Sequence, residues 1–120
     1  IGGRSHVATA SEMKTAVLDS RGHQDEVYAD LASCKVLVMD DLGNGEDSAS
    51  ANVVMRVVND RYERHKPVIV TSNYDLPDLG RRYGKLIGAV AAQSLVSRLN
   101  AMTERIRFEG KDRRAEAWRR

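Results

Sequence analysis

Val36-Leu37-Val38-Met39 is an unbroken apolar run that stops at Asp40-Asp41. Apolar residues without alternation are what a strand buried on both faces of a parallel sheet requires, because neither side of its pleat meets water. Such a strand, opened by Lys35, delivers two carboxylates to the C-terminal edge of the sheet. Val68-Ile69-Val70-Thr71 reads as a second strand of this kind, with Ser72-Asn73 at its end. Both polar clusters then share one sheet edge.

The rest of the chain alternates around these strands. Arg4 to Ala10 contains a short β-branched run, and Ser11-Glu12 opens a helix with apolar spacing at Met13, Val17 and Leu18. Ser20 to Gln24 interrupts it, and a second helix from Asp25 buries Val27, Tyr28 and Leu31. A Gly- and acid-rich loop, Gly43 to Asp47, precedes a long helix from Ser48 to His65 with Val53, Val54, Val57, Val58 and Tyr62 on one face. Asp75-Leu76-Pro77-Asp78 resembles a capped helix start, and a helix from Ala89 to Asn100 follows a break at Gly84 to Gly88. Thr103 to Phe108 alternates as a last strand. Strands and helices in this order predict an open α/β sheet, whose ligands bind beyond the carboxyl ends of the strands.

Composition narrows the class. A chain of 120 residues with 42% hydrophobic content builds one core without metal or disulfide support. Its single cysteine, Cys34, permits no internal disulfide, and no segment has the apolar length of a membrane span, so a cytoplasmic protein is expected. Net charge is only +2, and the basic excess is local: Arg98, Arg105, Arg107, Lys111, Arg113, Arg114, Arg119 and Arg120 face four acids over the same stretch, Glu104, Glu109, Asp112 and Glu116.

Two carboxylates at a strand mouth can hold a divalent cation, usually through water, against substrate phosphates. Asp40 would orient the metal and its waters, and Asp41 would position the attacking water; Asp41 also reads as a cap for the following turn. Asn73 could hydrogen-bond a terminal phosphate or that water without adding negative charge, although Thr-Ser-Asn is equally a turn sequence. Arg98 is either a solvated helix residue or a cation that neutralises phosphoryl charge across a subunit boundary.

In order, Val36 to Gly43 resembles a Walker B segment, Asn59 to Pro67 the helix and turn after it, and Val70-Thr71-Ser72-Asn73 a sensor 1 strand. Leu95 to Leu99 resembles an arginine-finger box, and Gly110-Lys111-Asp112-Arg113-Arg114 a closing motif. As an ordered set these resemble the AAA+ helicase loaders of the DnaC/DnaI type, with the IstB transposition helpers as close relatives, over roughly Thr9 to Arg114. The resemblance implies a three-layer P-loop NTPase fold with a mainly parallel sheet, and a single domain that is a partial AAA+ core, incomplete at its N-terminal side. It implies ATP and Mg2+ as cofactors. A replicative helicase or a transposase would be the protein partner, with homo-oligomers assembling on single-stranded DNA. It also sets Lys14, Arg21 and His23 where related loaders meet that strand; as residues alone they are ordinary surface charges. A receiver-type phosphoacceptor domain is the competing reading of Asp40-Asp41, Thr71-Ser72 and Lys85, but Asp41 to Thr71 leaves room for one long helix and no acceptor strand. A non-catalytic interaction module derived from such an ATPase is a third.

No G-x-x-x-x-G-K-[ST] occurs in the 120 residues, and Ile1-Gly2-Gly3-Arg4-Ser5 is no substitute, because it lacks the Lys-Ser/Thr pair that holds phosphate and magnesium. The 120 residues alone are therefore expected to bind Mg-ATP weakly. Isothermal titration of the isolated chain checks this, and tight binding would contradict it.

Overall fold

The computed structural model describes residues 4–107. Its order is β1 (Ser5–Ala8), α1 (Ala10–Asp19), α2 (Gln24–Ser33), β2 (Val36–Leu42), α3 (Ser48–Glu63), β3 (Val68–Ser72), α4 (Leu76–Ile87) and α5 (Ala89–Met102). The strands form a parallel sheet in the order β1-β2-β3. The α/β class is as expected, and a single helix joins β2 to β3, which removes the receiver-type arrangement.

Local chemistry sets the helix ends. Thr9 caps α1 in a reciprocal box with Glu12, Asp47 caps α3 by accepting from Ser50 N–H, and Asp75 caps α4 just before Pro77. α1 and α2 both pack against α3, as expected when successive parallel crossovers of one hand put their helices on one side of the sheet. There α4 and α5 join the same core, in which Leu37, Met39, Leu42, Val54, Val57, Val58, Tyr83, Leu95 and Leu99 are buried.

The expectation of a strand buried on both faces is corrected by this one-sided arrangement. Leu37 and Met39 are fully buried, whereas Val36 and Val38 on the other face are only half-buried. Val38 pairs with Val7 and Ile69, and those two are 70% and 52% exposed. Among the described residues nothing covers this row.

Two further expectations change. Gly84 lies inside α4, as does Gly80, and the break expected from Gly84 to Gly88 narrows to Gly88, whose φ is +90°. At Gly80 close packing on α5 overrides helix propensity, since a Cβ there would sit 2.9 Å from Val96 Cγ2; a Cβ on Gly84 would make only an ordinary contact with Ala92 Cβ, at 3.9 Å. Thr103 to Arg107 forms no strand, and Ile106 is 77% exposed. Phe108 and the Gly110 to Arg114 motif lie outside the described residues. Leu18, counted with the apolar face of α1, is exposed.

Arg61 fastens the lower end of the fold. It is fully buried on α3; Nη1 donates to Leu31 O at 2.9 Å and Cys34 O at 3.0 Å, and Nη2 donates to Pro67 O at 2.6 Å. One guanidinium thereby satisfies carbonyls at the end of α2, before β2 and before β3. Replacing it leaves those carbonyls unpaired in the core. Arg61→Leu should cost about 3 kcal/mol, and Arg61→Lys much of that, since one ammonium cannot span the set; urea unfolding measures both, and a loss under ~1 kcal/mol would contradict the assignment.

Candidate functional site

The register of β2 on β3 builds the site. Met39 pairs with Val70 and Leu42 with Ser72, so Asp40 and Asp41 together stand opposite the single residue Thr71. This is a β-bulge. In a regular strand Asp41 would follow Leu37 and Met39 into the core. Instead Asp41 adopts φ +58°, turns outward, and leaves the buried position to Leu42, which is 0% exposed. A left-handed residue costs roughly 1–2 kcal/mol, less than the several kcal/mol of a carboxylate forced into the core. The bulge wins.

The Thr71 hydroxyl occupies the gap in the ladder. It accepts from Asp41 N–H at 2.8 Å and donates to Asp40 Oδ1 at 2.5 Å. Asn44 Nδ2 donates to Asp41 Oδ2 at 2.7 Å, and Ser72 Oγ donates to Leu42 O at 2.5 Å. Among the described residues the second oxygen of each aspartate has no hydrogen-bond partner. Those two oxygens are available to a ligand.

The loop after β2 is held from α4. Gly43, at φ +96°, has no room for a side chain, since a Cβ would meet Tyr74 Cδ2 at 2.6 Å. Its N–H donates to the Glu46 carboxylate at 2.8 and 3.1 Å, and its carbonyl accepts from Arg82 Nε at 2.9 Å. Arg82 also stacks on Tyr74 at 4.4 Å. Burial pushes the Glu46 carboxyl above its ordinary value and Asp41 adds to the rise, against the Gly43 amide, the Tyr83 hydroxyl and Arg82. The buried Tyr83 hydroxyl lacks a partner of hydrogen-bonding geometry, and burial beside Glu46 raises its pKa. A cavity of about 170 Å³ opens beside Asp41, lined by Thr9, Ser11, Asn44 and Glu46 among others.

Asn73 is exposed, one residue beyond β3, at the same edge as Asp40 and Asp41. Arg98 is elsewhere. Its guanidinium lies 5.6 Å from the ring centroid of Tyr62, near the C-terminus of α3, and it also donates to Ser94 Oγ. Because α3 runs back along the strands, Arg98 is roughly 20 Å from the carboxylates of its own chain, at 1.5 Å per helical residue. Lys14 is engaged rather than free: Nζ bonds Asp47 Oδ2 at 2.8 Å and holds that carboxyl well below the usual carboxylate range. Arg21 is in the turn after α1 and His23 at the start of α2, where Nδ1 contacts Glu26 at 3.1 Å. Lys14 is thus set apart from Arg21 by roughly 10 Å of helix.

The sequence model of the IstB-like ATP binding protein family matches residues 5–119. The chain belongs to this family. No curated protein matches it. Membership in an IstB-like ATP-binding family brings ATP with it, and the carboxylate edge suits the cation side of such a ligand. Two outward aspartates and a hydroxyl are hard oxygen groups. No three His, Cys, Asp or Glu side chains converge among the described residues, so a cation there would complete its shell with water and phosphate oxygens. The phosphate cradle is a different matter: Arg82 is spent on Gly43 O and Tyr74, and Lys14 on Asp47. No helix of the described residues is long and apolar enough to cross a membrane.

Sequence reasoning missed Thr71, Asn44, Glu46, Arg82 and Tyr83 as parts of this IstB-like site. Leu42 carried a signal for the first, since an apolar residue after Asp-Asp breaks the two-residue period. The α4 residues had none, being close to the loop only through tertiary packing. Glu46 ionises near ~4.3 in the unfolded chain and at a higher pH when folded, so the folded wild type loses stability as pH rises through that interval. Glu46→Gln keeps an acceptor for Gly43 N–H and lacks the loss. Its stability relative to wild type should rise from about pH 3 and level off above the folded value; a pH-independent difference in urea unfolding would contradict this.

Proposed function

We propose that this IstB-like chain supplies the Walker B, sensor 1 and arginine-finger parts of an AAA+ ATPase that acts as a helicase loader of the DnaC/DnaI type or as a transposition helper. The observation that carries the reading is the pair of outward aspartates beside Asn73 at the C-terminal edge of a parallel sheet. In this reading Asp40 holds Mg2+ through water, Asp41 orients the attacking water, and Asn73 bonds that water or the terminal phosphate. The cation, when bound, neutralises charge on the phosphates.

The phosphate loop is proposed to come from a strand–loop–helix unit outside these 120 residues. Two features support this. The outer edge of β3 is unpaired among the described residues, and the Val7-Val38-Ile69 row is uncovered, whereas parallel sheets are covered on both faces. The proposed unit would pair with β3 and cover that row. Arg98, stacked on Tyr62 far from its own carboxylates, fits action on the site of a neighbouring copy. Replicative helicase or transposase, single-stranded DNA and further copies of the chain are the partners of this reading, with Arg21 and His23 at the DNA side and Lys14 joining them on release from Asp47.

A second reading is a non-catalytic module that keeps the fold and binds a helicase or DNA. ATP turnover by the full-length protein separates the two. Asp41→Asn should lower turnover by roughly 10²-fold or more, and Arg98→Ala by about 10³-fold. Mixing the two variants should restore activity, because intact carboxylates then meet an intact arginine. Unchanged biological activity in Asp41→Asn would favour the module, and failure of mixing to restore turnover would contradict action in trans.

A further inference from the structure

The bulge raises a question that the acidic pair does not answer: what keeps two consecutive aspartates pointing out of a strand that would otherwise alternate? The residue opposite them has one side-chain oxygen, and that oxygen bonds both. Thr71 Oγ1 accepts from Asp41 N–H at 2.8 Å, replacing the ladder bond that the extra residue displaces. The same hydroxyl donates to Asp40 Oδ1 at 2.5 Å, fixing which oxygen of Asp40 turns outward. A hydroxyl can accept and donate at once; Val, of the same shape, can do neither.

We infer that Thr71 is a positioning residue for the cation: by bonding Asp41 N–H and Asp40 Oδ1 together, it holds the bulge open and presents the second oxygen of Asp40 to a divalent metal. The inference rests on the reading of Asp40 as the metal-side carboxylate. It assigns to the sensor strand a role separate from Asn73, which lies two residues farther on and makes no contact with either aspartate among the described hydrogen bonds. The geometry also states which replacement is tolerated. Ser retains the hydroxyl, while Val and Ala remove it. Groups that orient a metal ligand in this way typically contribute about 10- to 100-fold to metal affinity.

The test is Mn2+ titration of the full-length protein in the presence of ADP, followed by electron paramagnetic resonance, with ADP affinity measured separately in EDTA. Thr71→Val should weaken Mn2+ binding about tenfold or more and leave metal-free ADP affinity unchanged, and Thr71→Ser should restore Mn2+ binding to near the wild-type value. Thr71→Ala repeats the measurement if the Val variant does not fold. Asp40→Asn separates the two levels of the argument. If Asp40→Asn leaves Mn2+ binding intact, the metal-side reading of Asp40 falls and the inference falls with it. If Asp40→Asn weakens Mn2+ binding while folded Thr71→Val or Thr71→Ala binds it normally, Asp40 keeps its role and the positioning role of Thr71 is overturned. Equal loss in Thr71→Ser and Thr71→Val also overturns it, since side-chain volume rather than the hydroxyl would then be at work.

Discussion

The site depends on one extra residue in β2. With regular pairing, the face that buries Leu37 and Met39 would next bury Asp41, and a carboxylate would replace Leu42 in the core. The bulge exchanges that for a single residue in the left-handed region, which Asp tolerates better than most side chains. Everything nearby serves the exchange: Thr71 fills the broken ladder, Asn44 takes one oxygen of Asp41, and Gly43, with no room for a side chain, turns the chain into the loop. The strained residue is the one proposed to orient the attacking water, and such strain often occurs where side chains are aimed at a ligand.

Around that point the molecule is polar in its organisation. The carboxylates, Asn73 and the cavity beside Asp41 lie at the C-terminal edge of the sheet, while Arg61 binds the opposite end together and Arg98 rests on Tyr62 there. α3 links the two ends. Its N-cap, Asp47, bonds Lys14 of α1, and its last turns carry Arg61 and Tyr62. A ligand at the acidic edge would therefore be one helix away from the arginine, and in the proposed assembly a second copy stacked end to end would bring the two kinds of surface together.

Much of this was legible in the residues. The run ending in Asp40-Asp41 and the strand before Asn73 appear where the pattern put them, and the helix expected over Ser48 to His65 starts as expected and ends at Glu63, because each rests on apolar period and on caps within a few residues. What escaped depends on distance in sequence. Gly84 read as the start of a break by propensity, yet it lies inside α4 and, with Gly80 one turn earlier, faces α5. Arg61 falls on the stripe of Val54, Val57 and Val58, a hint that it is buried, but the carbonyls it serves come from three other segments. The two-sided burial expected of β2 failed because periodicity describes a strand and not what covers it. Glu46, Arg82 and Tyr83 meet only after β3 and α4 have packed.

The central claim is that the Asp40-Asp41 edge faces the nucleotide and the Arg98 segment faces a neighbouring copy. Hydrogen–deuterium exchange of the full-length protein, with and without a non-hydrolysable Mg-ATP analogue, addresses it in one experiment. The account predicts slowed exchange in peptides covering residues 40–46 and 72–75 at any protein concentration, and slowed exchange around Arg98 only when the copies assemble. Unchanged exchange at 40–46 on addition of the nucleotide would contradict it.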